Sequence, residues 1–122
     1  MVPFNFINGK VVYDGFNLDL CKPIENQYDL LTEDLLQVTF CNGKLLDLGW
    51  YPEFNPEGRF ILMLIENENW DNPLIKIEFN RMDLICENLK KSNELCLIFL
   101  YILFFPSIAI DMDKPHLLQF SV

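Results

Sequence analysis

The sequence predicts an α+β fold: an antiparallel sheet of about five to seven strands with one main helix, near residues 81–92, packed on one face. Three observations carry that reading. Two Asn-Gly dipeptides stand between apolar runs, as hairpin turns do. Short runs with strand periodicity follow at 59–66 and 74–79. The period then changes from two to that of a helix. Hairpins followed by one helix give segregated layers rather than alternating βαβ units.

Asn8-Gly9 lies between Phe4-Asn-Phe-Ile7 and Lys10-Val-Val-Tyr13, and Asn42-Gly43 between Leu36-Gln-Val-Thr-Phe40 and Lys44-Leu-Leu-Asp-Leu48. A type I′ turn needs positive φ at both central residues, which Asn and Gly tolerate, and its twist matches that of the flanking strands. Each dipeptide therefore predicts a hairpin. In the second, Leu36, Val38 and Phe40 alternate with Gln37 and Thr39, so one strand face is buried and the other solvated. Residues 21–34 admit two readings. Asp29-Leu-Leu-Thr-Glu-Asp-Leu-Leu36 suits a short helix, while Pro23 and its polar neighbours suit a loop.

Arg59-Phe-Ile-Leu-Met-Leu-Ile-Glu66 is apolar on both faces, which predicts a strand in the middle of the sheet. Pro52, Pro56 and Gly58 mark the loop before it, and Asn69 to Pro73 the loop after it. Leu74-Ile-Lys-Ile-Glu-Phe79 alternates, with Ile75, Ile77 and Phe79 inward. The helix follows, with Asn80 as its cap and Asp83 beside the free amides of its first turn. Met82, Ile85 and Leu89 fall on one helical face and Asp83, Glu87 and Lys90 on the opposite one. The continuous apolar run 95–105 reads as a buried strand in preference to a membrane tail, because of its aromatic and β-branched residues. Pro106 ends it, Asp111-Met-Asp-Lys-Pro115 turns the chain, and Leu117 to Val122 form a last segment.

A chain of 122 residues is one domain, 1–122, with enough length for a single core. Its formal charge of -9 argues against nucleic acid or an anionic membrane as partner and favours something basic. Cys21, Cys41, Cys86 and Cys96 have none of the spacing of a zinc site, and the start of the chain lacks the pattern of a signal peptide. Reduced, mostly core cysteines and a cytoplasmic location are the expectation.

No catalytic set emerges. A Ser/His or Cys/His pair has only His116 to draw on, six residues from the C-terminus. The glycines are single and scattered, so no phosphate loop is formed. Glu66-Asn-Glu-Asn-Trp-Asp71 places oxygens at alternate positions but lacks the glycine and terminal glutamate of a calcium loop, and reads as a solvated turn. No cofactor, metal or catalytic residue is assigned.

Residues 47–71 hold both tryptophans and six carboxylates, with Arg59 as the sole cation. Aromatic side chains supply rigid contact area at protein interfaces, and carboxylates beside them draw cationic partners. By period two, Trp50 shares a strand face with Leu46 and Leu48 and goes to the core. Asp47, Gly49 and Tyr51 then face the other way, where a partner can sit. Trp70 lies in a polar turn and is expected to be exposed. The candidate partner surface is therefore Glu66, Glu68, Trp70 and Asp71 first, with Asp47, Tyr51, Glu53 and Glu57 as a second group.

The block Asp47-Leu-Gly-Trp-Tyr-Pro-Glu53, followed by Gly58-Arg-Phe60, Trp70 and Asn72-Pro73, resembles immunity proteins of contact-dependent growth inhibition and related polymorphic toxin systems. The resemblance covers residues 47–90. It implies a bacterial cytoplasmic inhibitor that binds a cognate toxin domain and blocks it, with no catalysis of its own. Many such toxins are basic nucleases, which suits the acidic charge here. Two alternatives stand beside this expectation: a small membrane-associated protein anchored by residues 95–110, and a small enzyme of unrecognised type.

Overall fold

The structure is a computed structural model that describes residues 1–40 and 43–104, with side chains described as far as Phe99. Five antiparallel strands form one sheet in which spatial order follows chain order: β1 (Lys10–Asp14), β2 (Leu36–Thr39), β3 (Lys44–Tyr51), β4 (Arg59–Glu66) and β5 (Ile75–Phe79). One helix, α1 (Ile85–Phe104), follows a 3-10 turn at Met82–Leu84. The architecture is α+β, with a single core between α1 and one face of the sheet.

The alternation of each strand decides what that face contains. Leu36 and Val38 of β2, Leu46, Leu48 and Trp50 of β3, and Phe60, Leu62 and Leu64 of β4 are buried. Ile75, Ile77 and Phe79 complete the layer from β5, and Ile85, Leu89, Leu95 and Cys96 close it from α1. Cross-strand register keeps the pairs level, with Trp50 opposite Phe60 and Phe60 opposite Phe79. Those rings meet edge-on at 4.8 Å and stacked at 5.1 Å between centroids. Burying one such side chain contributes about 1.5–3 kcal/mol, and aromatic pairing adds about 0.5–1.5.

The second hairpin forms as expected, with Leu36 opposite Leu48 and Gly43 at a φ of 72°. The first does not. Asn8 takes a φ of 61° and turns the chain, but Phe4 to Ile7 leave the strand pattern and β1 pairs with β2 instead. The reason lies on α1. Asn93, buried in the helix, accepts the N–H of Ile7 at 2.7 Å and donates its amide to the Ile7 carbonyl at 3.0 Å. A side chain thus supplies both bonds that a neighbouring strand would have given, and the Phe4, Phe6 and Phe40 rings pack edge to face alongside.

β4 lies inside the sheet, but β3 is its middle strand. On β4 the residues facing away from α1 run from half-exposed, Ile61 and Met63, to fully buried at Ile65, so the expected burial on both faces holds at that end. Residues 21–34 are mostly loop, with 3-10 turns at Ile24–Asn26 and Tyr28–Leu30. The buried Gln27 holds this loop through bonds to Asp19, Lys22 and Pro23 backbone groups.

The run at 95–105 is corrected. Residues 95–104 continue α1, so they are neither a strand nor a separate element. Four leucines (95, 97, 100 and 103) carry high helix propensity, only Ile98 and Ile102 are β-branched, and a helix already nucleated at 85 propagates one bond per residue. Burial of Ile85, Leu89, Ser92 and Cys96 follows helical period. Among the described residues no helix is long and apolar enough to cross a membrane. Residue 105, the turn at 111–115, His116 and the segment 117–122 lie outside the described residues. The expected Asn80 cap is also replaced: Arg81 caps the 3-10 turn without a side-chain bond, and its guanidinium pairs with Asp83.

Two polar residues on α1 stand out within the core. The Asn88 amide and the Ser92 hydroxyl are buried with no hydrogen-bond partner among the described residues. Cys96 is buried as expected, Cys86 is half-buried and Cys21 is exposed, so the expectation of mostly core cysteines fails at Cys21. All three are free thiols, and Cys41 lies outside the described residues.

One close approach shapes the outer face. Leu35 donates its N–H to the Leu48 carbonyl at 3.0 Å, and Trp50 donates to Thr32 at 2.9 Å. Glu33 and Asp34 together therefore stand opposite Gly49, a two-against-one bulge. The Glu33 carbonyl occupies the place where a Cβ on residue 49 would project. Because backbone rather than a flexible side chain is in the way, Gly49→Ala is expected to cost about 3 kcal/mol through overpacking and loss of the bulge. Its urea midpoint should fall well below that of the wild type. An unchanged midpoint would mean that the 31–35 segment is not held against β3.

Candidate functional site

The two groups of candidate residues sit at opposite ends of β3 and β4. Lys44 pairs with Glu66 at one end of the ladder and Tyr51 with Arg59 at the other. Eight strand residues separate the ends by about 27 Å. The structure therefore keeps the 66–71 group apart from the Tyr51 group.

The Glu66 end is a tight turn. Asn67 and Glu68 have φ of 53° and 61°, and the Asn69 N–H bonds the Glu66 carbonyl at 3.1 Å. Two successive positive φ values make this a type I′ turn, built without glycine. The Asn67 N–H reaches the Gly43 carbonyl at 3.0 Å and ties this turn to the β2–β3 turn. Glu66 faces α1 and pairs with Lys44 at 3.4 Å. Lys44 is mostly buried, with Nζ 5.8 Å from the Phe99 ring centroid. Glu66 is therefore an internal ion-pair partner as much as a surface acid. Glu68 and Asp71 are exposed, and Trp70 exposes 43% of its surface. Beside the turn lies a cleft of about 480 Å³ that joins apolar Phe40, Leu45 and Ile65 to Lys44, Asn67 and Glu68.

At the other end, Tyr51 is half-buried on the face away from α1. Burial holds its phenol above the ordinary value, and the charges of Asp47, Asp34 and Glu33 push in the same direction. Asp47 is almost wholly buried at 3% exposure and accepts the Gln37 amide at 3.0 Å. Desolvation raises its carboxyl above 3.8, and Asp34 adds to this against the opposing Gln37 bond. Glu53 is exposed and accepts the Glu33 N–H at 3.1 Å. Glu57 is exposed at the far side of the loop, where with Arg59, Glu78 and Asn80 it lines a polar cleft of about 450 Å³.

Trp50 is core, with its indole N–H donated to the Asn55 carbonyl at 2.9 Å and Gly58 close against the ring. Most of the Asp47-to-Phe60 block thus packs the loop 52–58 over the sheet end. The outward face of β3 is less open than period two suggests, because Asp47 is buried and the Glu33 carbonyl lies over Gly49. Glu33 and Asp34 were not among the sequence candidates. They reach Tyr51 only through the 33–34 bulge, and no local pattern marks them.

Among the described residues no group of three or more His, Cys, Asp or Glu is placed to hold a metal ion. Cys96 is pushed up to about 12 by burial, against a smaller opposing effect of Lys44, so its thiol stays protonated. No family model matches the chain, and neither a curated protein nor a solved structure is similar to it.

Two outcomes follow. A carboxyl whose folded pKa lies above its unfolded value binds its proton more tightly when folded. Ionisation of Asp47 therefore removes stability as pH rises from about 4 through the folded pKa. Asp47→Asn keeps an acceptor for Gln37 and should be more stable than the wild type at pH 7. The gap should close below about pH 4 in urea titrations. A wild type that is the more stable at pH 7 would refute the desolvation account. Separately, left-handed backbone is strained for glutamate and free for glycine, so Glu68→Gly should add about 1 kcal/mol of stability and raise the urea midpoint. A fall in the midpoint would show that the turn gains more from the Glu68 side chain than it loses to strain.

Proposed function

We propose that this chain is an immunity protein that binds a cognate toxin domain, basic and of nuclease type, and neutralises it by stoichiometric binding in the cytoplasm. The observation that carries this reading is the 66–71 turn. It presents Trp70 at 43% exposure between the exposed carboxylates Glu68 and Asp71, and its Asn67 and Glu68 line a partly apolar cleft. An exposed tryptophan is the kind of anchor on which binding energy concentrates. A net charge of -9 speeds encounter with a basic partner, while buried aromatic contact slows its release.

Tyr51 is the weaker anchor. It is half-buried against its own chain, and Asp47 beside it is buried, so that end offers the charges of Glu33, Asp34, Glu53 and Glu57 with Phe54, 50% exposed, as its open aromatic. In this reading it contributes long-range attraction to a basic partner and is the second candidate for contact.

The test is co-expression with the variable C-terminal domain of a large secreted protein encoded in the adjacent reading frame. Cells should survive only when this chain is present, and equal death with and without it would refute the proposal. Given protection, Trp70→Ala should weaken binding to that domain about 30- to 1000-fold, the equivalent of about 2–4 kcal/mol. Glu68→Gln should lower the association rate and its salt dependence. Unchanged affinity in both folded variants would move the interface to Tyr51, Glu53 and Glu57.

A further inference from the structure

The sheet ends in two strands that lack an outer neighbour among the described residues, and the two differ in kind. β1 is blunted. Its register shifts between Val11 and Tyr13, so Lys10 pairs opposite Thr39 while Asp14 pairs opposite the inward-facing Leu36. The bulge puts those two charges on opposite faces, and the Asp14 carboxylate already accepts the N–H groups of Val2 and Phe16 at 3.1 Å each. Such an edge resists regular pairing.

β5 is regular throughout, each residue from Ile75 to Phe79 matching one residue of β4. Ile75, Ile77 and Phe79 are buried toward α1, and Lys76 and Glu78 are exposed on the open face. Read from either end the strand is apolar, charged, apolar, charged, apolar, with charges of opposite sign placed symmetrically about Ile77. Set against a second copy, antiparallel and about a twofold axis through Ile77, Lys76 falls opposite Glu78 of the second copy, and Glu78 opposite its Lys76. Ile75 meets Phe79, and Ile77 meets its own equivalent. Period two keeps both ion pairs on the open face and the apolar row level with the two cores.

A lone lysine on an edge strand keeps other strands away. A lysine and a glutamate two residues apart on the same face instead select one register. A slip of one residue sets charge against apolar side chains. We propose that the chain forms a twofold dimer through β5, its two sheets joined into one across the axis. The contact is isologous and closed, so it stops at two copies. It rests on the edge geometry and not on the function proposed above.

Sedimentation velocity of the full chain over a wide concentration range tests this. The wild type should show a concentration-dependent dimer. Lys76→Glu sets glutamate against Glu78 of the second copy at both symmetric positions and should raise the dissociation constant at least about tenfold. The double variant K76E/E78K, made in an Arg59→Gln background because Arg59 bonds Glu78 at 3.2 Å within its own chain, restores opposite charge at both positions and should recover the dimer. Both residues are exposed, so each variant should fold, which circular dichroism checks. A wild type that is monomeric throughout overturns the proposal, as does a dimer indifferent to Lys76→Glu. A folded double variant that fails to recover overturns it as well.

Discussion

The placement of the Glu33 carbonyl against Gly49 is the constraint on which much of the remaining structure depends. Only a residue without Cβ allows the 31–35 segment to approach β3 closely enough for the bonds Leu35–Leu48 and Trp50–Thr32. Those bonds set Leu31 and Leu35 into the core, both with no exposed surface. They also hold the long connection from β1 to β2, since Gly15 donates to Leu35 and Phe54 to Leu31. On the outer side the same bulge brings the charges of Glu33 and Asp34 to Tyr51. One glycine thus links core packing to the electrostatics of a surface.

The helix side follows another economy. α1 offers a face that is apolar except at Asn88, Ser92 and Asn93, all buried. Asn93 completes the backbone bonds of Ile7 and so converts a segment with hairpin propensity into a strap under the helix. A buried amide that satisfies both backbone groups of another segment stabilises one arrangement, because loss of either bond strands a desolvated partner. Asn88 and Ser92 show the reverse case, polar groups held in the core without such compensation among the described residues.

Charge is distributed unevenly over this frame. Lys44 is taken inward to Glu66 and Phe99, and Arg59 and Lys76 are shared by Glu78. Glu33, Asp34, Glu53, Glu68 and Asp71 keep their exposure. The negative surface thus lies at both ends of β3 and β4, each with one exposed aromatic ring, Trp70 at one end and Phe54 at the other. Of the residues picked from sequence, Trp70, Glu68 and Asp71 keep the surroundings expected of them. Glu66 and Asp47 are drawn into internal bonds.

The features legible from the amino-acid order alone are those whose cause is local. Alternation placed Leu36, Leu46, Leu48, Trp50, Ile75, Ile77 and Phe79 on the inner face, and Asn-Gly with its flanking runs located the β2–β3 hairpin. Helical period placed Ile85 and Leu89 in the core, and the polar surroundings of Trp70 announced its exposure. Tertiary structure decided wherever two local preferences competed or a partner was distant in the chain. Phe4–Ile7 has strand pattern, yet the Asn93 amide, 86 residues away, outbids β1 for its backbone. Residues 95–104 suit a buried strand by aromatic content, yet a helix already running from 85 extends at the cost of one residue per bond. Glu33 and Asp34 carry no motif, and only the space over Gly49 brings them to Tyr51. Period and turn chemistry act over a few residues, whereas the choice among partners depends on which segments the closed core leaves within reach.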